Sequence, residues 1–368
     1  MAVVKNMTYE VIADINDIRK FFSSNIVEFG KLSNSTIFLT DDFLITWLEC
    51  YSDCVYTLQF IVFYADYKII GVAPLYIKHD EFFELRFICT GESEEDEVFS
   101  EYLDFLVRDG FEGIVVSQFL SYLDATESRW NKMAIDNYLE TSFVARYVMP
   151  ALTGHGYNVV SHCEGFRYFI ELPETIDEFY QNKKGSFYSG LKRKRRHLLQ
   201  TDGVSYSVVM EQQAVVRTLG NIKRLHNERW KNSNVCGAFE SDVFFKFHNL
   251  LSSRLLNKGR LFLLVVEDNE QVISVIYGFV FKGVLSFYQS GYITTEYKRF
   301  SIGSVSHLLA IEIAIDKKID VYDFMFGSEN SYKNKYKCST EAMFQCEIYQ
   351  PGLMNSLKRV CDKLLHQV

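Results

Sequence analysis

The chain has little proline, only 4 in 368 residues. Long disordered linkers are therefore not expected. Its eight cysteines, at positions 50, 54, 89, 163, 236, 338, 346 and 361, form no CxxC pair, and several lie inside apolar runs. That pattern argues against a disulfide scaffold and predicts a reduced, cytoplasmic chain. No apolar run reaches the roughly 18 residues of a membrane span, and the opening MAVVKNMTYEV lacks a signal-type apolar block. Basic charge is also short: 39 Lys and Arg face 47 Asp and Glu, a net −8. A general nucleic-acid binder is disfavoured, although a local basic patch remains compatible with this balance. No GxSxG, HExxH, Walker or GxGxxG pattern occurs, and no spacing suggests a metal site.

Apolar and aromatic residues are plentiful, with 31 Phe and 23 Tyr in a 48 % hydrophobic chain. The length exceeds one ordinary core and suits two domains. Two stretches support that division. LQFIVFYADYKIIGVAPLYI (58–77) and LFLLVVEDNEQVISVIYGFVF (261–281) each place a polar turn between two apolar runs. Both predict a β-hairpin followed by a third strand, at 85–89 and 285–292. The fold class expected is α+β: two tandem units, 1–160 and 161–368, each a mixed, mostly antiparallel sheet flanked by helices. Helical spacing is present after Asp41-Asp42 and at 214–230, 241–256 and 301–318. A further strand is expected at 167–172. Pro74 belongs at a sheet edge or bulge.

Five segments carry candidate chemistry. After the second unit's third strand, KRFSIGSVSHLL opens an apolar helix. A helix N-terminus offers unpaired N–H groups and a positive dipole end to a phosphate. Ser301, Ile302, Gly303 and Ser304 would supply that site, with Arg299 adding charge. A Ser-capped core helix is the plain alternative. The matching place in the first half, GESEEDEV, carries five carboxylates and would repel a pyrophosphate. SGLKRKRRHLL presents Lys192, Arg195 and Arg196 on one helical face, suited either to phosphates or to solvent. RLHNERW places His226 and Trp230 four apart, so both can face one cleft, and His226 is a candidate base. EYLDFLV contributes Tyr102 and Asp104 as candidate ligand contacts.

These pieces in this order, together with GVAPL at 71–75 and DFMFGSENSYKNKY at 323–336, resemble the acetyltransferase family related to the cellulose-biosynthesis protein CelD, within the GNAT superfamily. The resemblance spans most of the chain. Its phosphate loop has one more residue before the glycine than the family pattern. It implies coenzyme A as acyl donor and an amine acceptor, without a metal or a catalytic cysteine. It implies that the strands at 285–292 and 321–326 splay apart around the pantetheine arm, with Gln289, Ser290, Gly291 and Gly327 at the thioester. Asp323 and Glu329 would be candidate bases and Tyr332 a candidate acid for the leaving thiolate. Lys333 and Tyr336 would line the acceptor side. The function expected is N-acylation of a nucleotide-linked amino sugar with an acetyl or 3-hydroxybutanoyl group. The rivals are a Fem-like transferase using aminoacyl-tRNA, which the net charge disfavours, and a non-catalytic scaffold.

Overall fold

The structure is a computed structural model that describes residues 6–351, apart from 31, 33, 52–55, 80–82, 127–128 and 231–240. In chain order the first elements are β1 (Met7–Ile12), α1 (Ile15–Gly30), α2 (Asp41–Cys50), β2 (Tyr56–Ala65), β3 (Lys68–His79) and β4 (Phe83–Phe87). Then come β5 (Leu106–Val107), α3 (Glu112–Thr126), β6 (Lys132–Leu139), α4 (Met149–Gly154) and β7 (Asn158–Glu171). The chain continues with α5 (Ile176–Asn182), α6 (Ser186–Leu199), β8 (Val204–Val208), α7 (Gln212–Trp230), α8 (Asp242–Asn257) and β9 (Leu261–Asp268). It closes with β10 (Gln271–Phe281), β11 (Val284–Tyr292), α9 (Ile302–Asp316), β12 (Val321–Gly327) and β13 (Ser339–Tyr349).

Two compact α+β units emerge, divided between Glu164 and Gly165. The division differs from a simple cut in two ways. The acidic segment Glu92–Glu97 belongs to the second unit, and β13 from Ala342 on belongs to the first. In the acidic segment, Asp96 accepts a hydrogen bond from Ser241, the residue that also caps α8. Backbone pairing explains the place of β13, which completes the first unit's sheet beside β6.

The first sheet has the order β1-β2-β3-β4-β6-β13 and the second β7-β12-β11-β10-β9-β8. Both hairpins form as expected. Their central turn residues, Asp66-Tyr67 and Asn269-Glu270, all have positive φ. That is the backbone of the tight turn that matches strand twist. Pro74 lies in β3, between β2 and its other neighbours, rather than at an edge. Pairing on that other side passes from β5, up to Val72, to β4, from Leu75, so Pro74 falls in the gap.

Among the described residues each unit contains one parallel pair, and each pair is only three residues long. In the first unit it is Glu84–Arg86 beside Lys132–Ala134. In the second it is Val284–Ser286 beside Val321–Asp323. Beyond these points the strands part and leave a fork. The first fork is filled by its own chain. The Tyr102 amide donates to the Asn137 carbonyl at 2.8 Å. Phe105 packs edge-on against Phe87. The second fork opens between two β-bulges. Tyr288 is the extra residue of β11 against β10, and Phe324 that of β12 against β7. An extra residue bends its strand and raises its twist, which turns the two arms apart.

The β12 bulge is held by side chains. Met325 takes a positive φ of 62°, a costly conformation for a non-glycine residue. The Asp323 Oδ1 atom accepts its amide at 2.7 Å, and Oδ2 accepts Arg167 Nε at 2.8 Å. Lys333 Nζ donates to the carbonyls of Phe324, at 2.6 Å, of Met325, at 3.3 Å, and of Phe326.

Two outcomes follow from these contacts. Asp323→Ala removes the acceptor of the Met325 amide and the 2.8 Å partner of Arg167, leaving that guanidinium its longer pairing with Glu341 at 3.5 Å, and should lower stability by about 3 kcal/mol. The midpoint of urea unfolding reads this, and Asp323→Asn should lose less because it keeps an acceptor. In the first unit, burial raises the Asp104 carboxyl to about 6, against the pull of four N–H donors. The folded value lies above the unfolded one. Asp104 therefore adds stability as pH falls from about 6 toward the ordinary carboxylate range near ~4, and costs stability above it. A carbon-13 titration of Asp104 checks this, and a midpoint near ~4 would contradict it.

Candidate active site

The second fork and the start of α9 form the candidate site. The helix begins after a short 3-10 turn, Lys298–Phe300, and Ser301 takes the left-handed conformation with φ 52°. Val305 makes the first intrahelical bond, to the Ser301 carbonyl. Among the described residues, the amides of Ile302, Gly303 and Ser304 therefore have no backbone acceptor, and no side chain caps the helix. The Ser-capped alternative does not hold. The Ser301 hydroxyl instead accepts Lys194 Nζ at 2.7 Å. Lys298 and Arg299 are exposed just upstream. Three open amides, a helix dipole and up to three cations make an anion site.

The glycines serve a different purpose from the one expected. A Cβ at Gly303 would lie 2.9 Å from the Tyr292 ring, so this glycine admits an aromatic ring of the protein. At Gly291 a Cβ would lie 2.8 Å from Leu225 Cβ, which lets α7 approach β11. At Gly327 it would meet Ser331 Oγ at 2.9 Å and the Tyr168 ring at 3.0 Å. Among the amides considered for the thioester, that of Ser290 is taken by Gln289 Oε1 at 3.0 Å.

Several expected contacts are structural instead. Asp323 is 1 % exposed and both its oxygens are engaged, so it cannot collect a proton without breaking the bulge. Lys333 is consumed by three carbonyls rather than offered to an acceptor phosphate. Arg195 pairs with the buried Glu312 at 2.7 Å, and Glu312 also accepts the Tyr180 hydroxyl at 2.5 Å. The Lys192 ammonium sits 4.1 Å from the Tyr180 ring centre but remains exposed.

Tyr102 and Asp104 belong to the first unit, where they line a cavity of about 330 Å³ with Asn34, Glu112, Arg146 and Tyr147. Asp104 accepts N–H groups from Phe105, Phe143, Val144 and Asn34 at 2.8–2.9 Å. Four donors satisfy both carboxylate oxygens, so Asp104 holds the backbone here.

The remaining candidates flank the fork. Glu329 is exposed two residues beyond Gly327, at the end of the β12 arm. His226 follows Leu225, the residue of α7 that packs on Gly291 in the β11 arm. The Trp230 side chain lies outside the described residues. Tyr332 is half exposed, whereas Tyr336 is buried.

The sequence reading missed two participants. Lys194 was one of six basic residues in a row, and only the fold selects it. His307 and its partner Tyr322 were also missed, although a histidine inside the apolar run SVSHLLAIEIAI was a visible signal. Both are buried, with His307 Nδ1 2.8 Å from the Tyr322 hydroxyl. Burial lowers the His307 imidazole to about 3 and the Lys333 ammonium adds to this, so the ring is neutral.

Among the described residues no helix is long and apolar enough to cross a membrane. No curated protein matches the chain. Its fold is similar to that of FemX, at 10 % identity and a TM-score of 0.61 over 92 % of this chain and 96 % of that one. It is also similar to a conserved protein of unknown function from Bacteroides thetaiotaomicron VPI-5482, at 10 % identity and 0.56 over 94 % and 100 %. L-PGS from Bacillus licheniformis shares the fold at 12 % identity and 0.54 over 92 % and 93 %. Residues 185–337, within the second unit, match the family described as Acetyltransferase (GNAT) domain.

Proposed function

We propose that the protein is an N-acyltransferase that moves a short acyl group, acetyl or 3-hydroxybutanoyl, from coenzyme A to the amine of a nucleotide-linked amino sugar. A dTDP-amino-dideoxy sugar destined for a surface polysaccharide is the acceptor class favoured. The observation that carries the reading is the open fork between β11 and β12 beside the uncapped start of α9. An extended thioester arm fits a gap between parted strands, and a diphosphate fits open helix amides. The family match over 185–337 supports the same donor.

In this reading the Ile302, Gly303 and Ser304 amides hold the diphosphate, with Lys194 and Arg299 adding charge. Coenzyme A supplies the activated carbonyl. The amine attacks that carbon, a C–N bond forms and the C–S bond breaks. Glu329 takes the amine proton, directly or through water, with His226 as the other candidate. Tyr332 returns a proton to the thiolate. An amide near Gln289 or Gly291 steadies the carbonyl oxygen. Lys192, exposed on α6, serves the acceptor's diphosphate. Asp323 is assigned to the fork's framework instead of to the chemistry. An aminoacyl-tRNA donor would need a broad basic surface, against the net charge of −8.

Thiol release from acetyl-CoA and 3-hydroxybutanoyl-CoA tests this directly. Release is expected with one dTDP- or UDP-linked amino sugar and not with its free sugar. Coenzyme A binding with silence across that panel would instead favour another acceptor or a scaffolding role. Two substitutions refine the assignment. Lys194→Ala should weaken acyl-CoA binding about tenfold by calorimetry, the scale of one charge-assisted hydrogen bond. Glu329→Gln should lower kcat about 100-fold while acyl-CoA affinity survives. A kcat that stays normal would pass the base role to His226.

A further inference from the structure

His307 lies at the root of the second fork. Its ring contacts Phe287, 4.5 Å between centres, and Phe324, 5.0 Å. These are the first residues of each arm beyond the last shared pair, Ser286 and Asp323. Tyr336 and Tyr332 complete the enclosure at 5.6 and 6.4 Å. The residue is 4 % exposed.

Its hydrogen bonding is one-sided. The Nδ1 atom meets the Tyr322 hydroxyl, and Nε2 has no partner among the described residues. Tyr322 is fully buried, and His307 is the partner its hydroxyl has. A buried hydroxyl proton without an acceptor costs more than an unused lone pair. The phenol therefore donates to Nδ1, and the neutral ring must carry its proton on Nε2.

A second group nearby has the same want. The Tyr336 hydroxyl is buried with no hydrogen-bond partner among the described residues, and the Ser304 hydroxyl is the polar group near it. Tyr336 itself is 1 % exposed. Two donors in one aromatic enclosure, the Tyr336 hydroxyl fully buried and the His307 Nε2–H beside it, await an acceptor that the described residues do not supply.

Distance along the helix narrows what that acceptor is. Four residues separate His307 from Gly303, a rise of about 6 Å. A diphosphate at the first-turn amides would therefore place the near part of its arm at His307, and the thioester further on. We propose that the His307 Nε2–H and the Tyr336 hydroxyl together receive an amide carbonyl of the pantetheine arm, and so set the depth to which acyl-CoA enters the fork. This rests on the acyl-CoA reading. His307 is a positioning residue in this scheme, held as a donor by Tyr322, and takes no part in moving the amine proton.

The test compares ligands with and without the arm. Coenzyme A and 3′,5′-ADP share the phosphates, but only the first has amides. Tyr336→Phe should leave the free protein as stable as before or slightly more so, because it deletes an unmet polar group. It should weaken coenzyme A binding about tenfold and leave 3′,5′-ADP unchanged. His307→Phe should do the same, with KM for acyl-CoA raised and kcat nearly kept, and His307→Gln should recover part of the loss. Nitrogen-15 spectra of the free protein should show His307 neutral with its proton on Nε2. That signal should move with coenzyme A and stay still with 3′,5′-ADP. The proposal is overturned if the proton sits on Nδ1, if coenzyme A binds without moving the signal, or if Tyr336→Phe weakens both ligands equally. Wild-type protein that binds neither ligand would remove the acyl-CoA reading itself, and with it this proposal.

Discussion

The candidate site depends on a β12 that bends away from β11 after three shared residues. That bend is unfavourable on its own. It needs an extra residue in the strand and a positive φ at Met325. Asp323 and Lys333 offset the cost from opposite chemistries. The carboxylate collects the free amide, and the ammonium collects the free carbonyls. Arg167 neutralises Asp323 from β7. A buried charge is tolerated only when paired and hydrogen-bonded, and here the partners are the backbone groups that the bulge leaves over. Strain in the strand and charge in the core thus satisfy one another.

The same three-residue parallel pair occurs in both units, but the forks have different fates. In the first, residues 100–105 return to line β6, and Phe105 fills the space against Phe87, Phe63 and Phe119. In the second, the fork is bordered by His307 and Tyr336, whose polar atoms have no such filling. The contrast follows from what succeeds the third strand. One connection is long and returns through an apolar EYLDFLV, whereas the other turns quickly into α9. A duplicated framework can therefore keep one site and close the other without altering its strand order.

Much of the framework was legible in the chain. Alternating runs around Asp66-Tyr67 and Asn269-Glu270 marked the hairpins, because a two-residue turn fixes register locally. Helical spacing after Asp41-Asp42 and from Ser241 marked two of the helices, because that periodicity is local. The swap of β13 into the first sheet was not legible, since edge pairing between distant segments leaves no local mark. The roles of Asp323, Lys333 and Arg195 were misjudged for a related reason. Their residue types suit catalysis and phosphate binding, and nothing adjacent in sequence shows that Arg167, three carbonyls or Glu312 already occupy them.

The glycines make the same point in miniature. In the sequence Gly303 belonged to a phosphate site, and Gly291 and Gly327 to strand ends beside a thioester. A close approach occurs at each, but the partner is α7, Tyr292 or Tyr168. The sequence by itself determined the two α+β units, the hairpins and an apolar helix opening at Ser301, because periodicity and turn chemistry act over a few residues. Only the tertiary structure decided which of six basic residues reaches that helix, which fork stays open and which buried donors remain unmet. Those outcomes depend on pairings between residues up to about a hundred and fifty positions apart, such as Lys194 with Ser301 and Arg167 with Asp323, and long-range pairing is set by the packing of the whole unit.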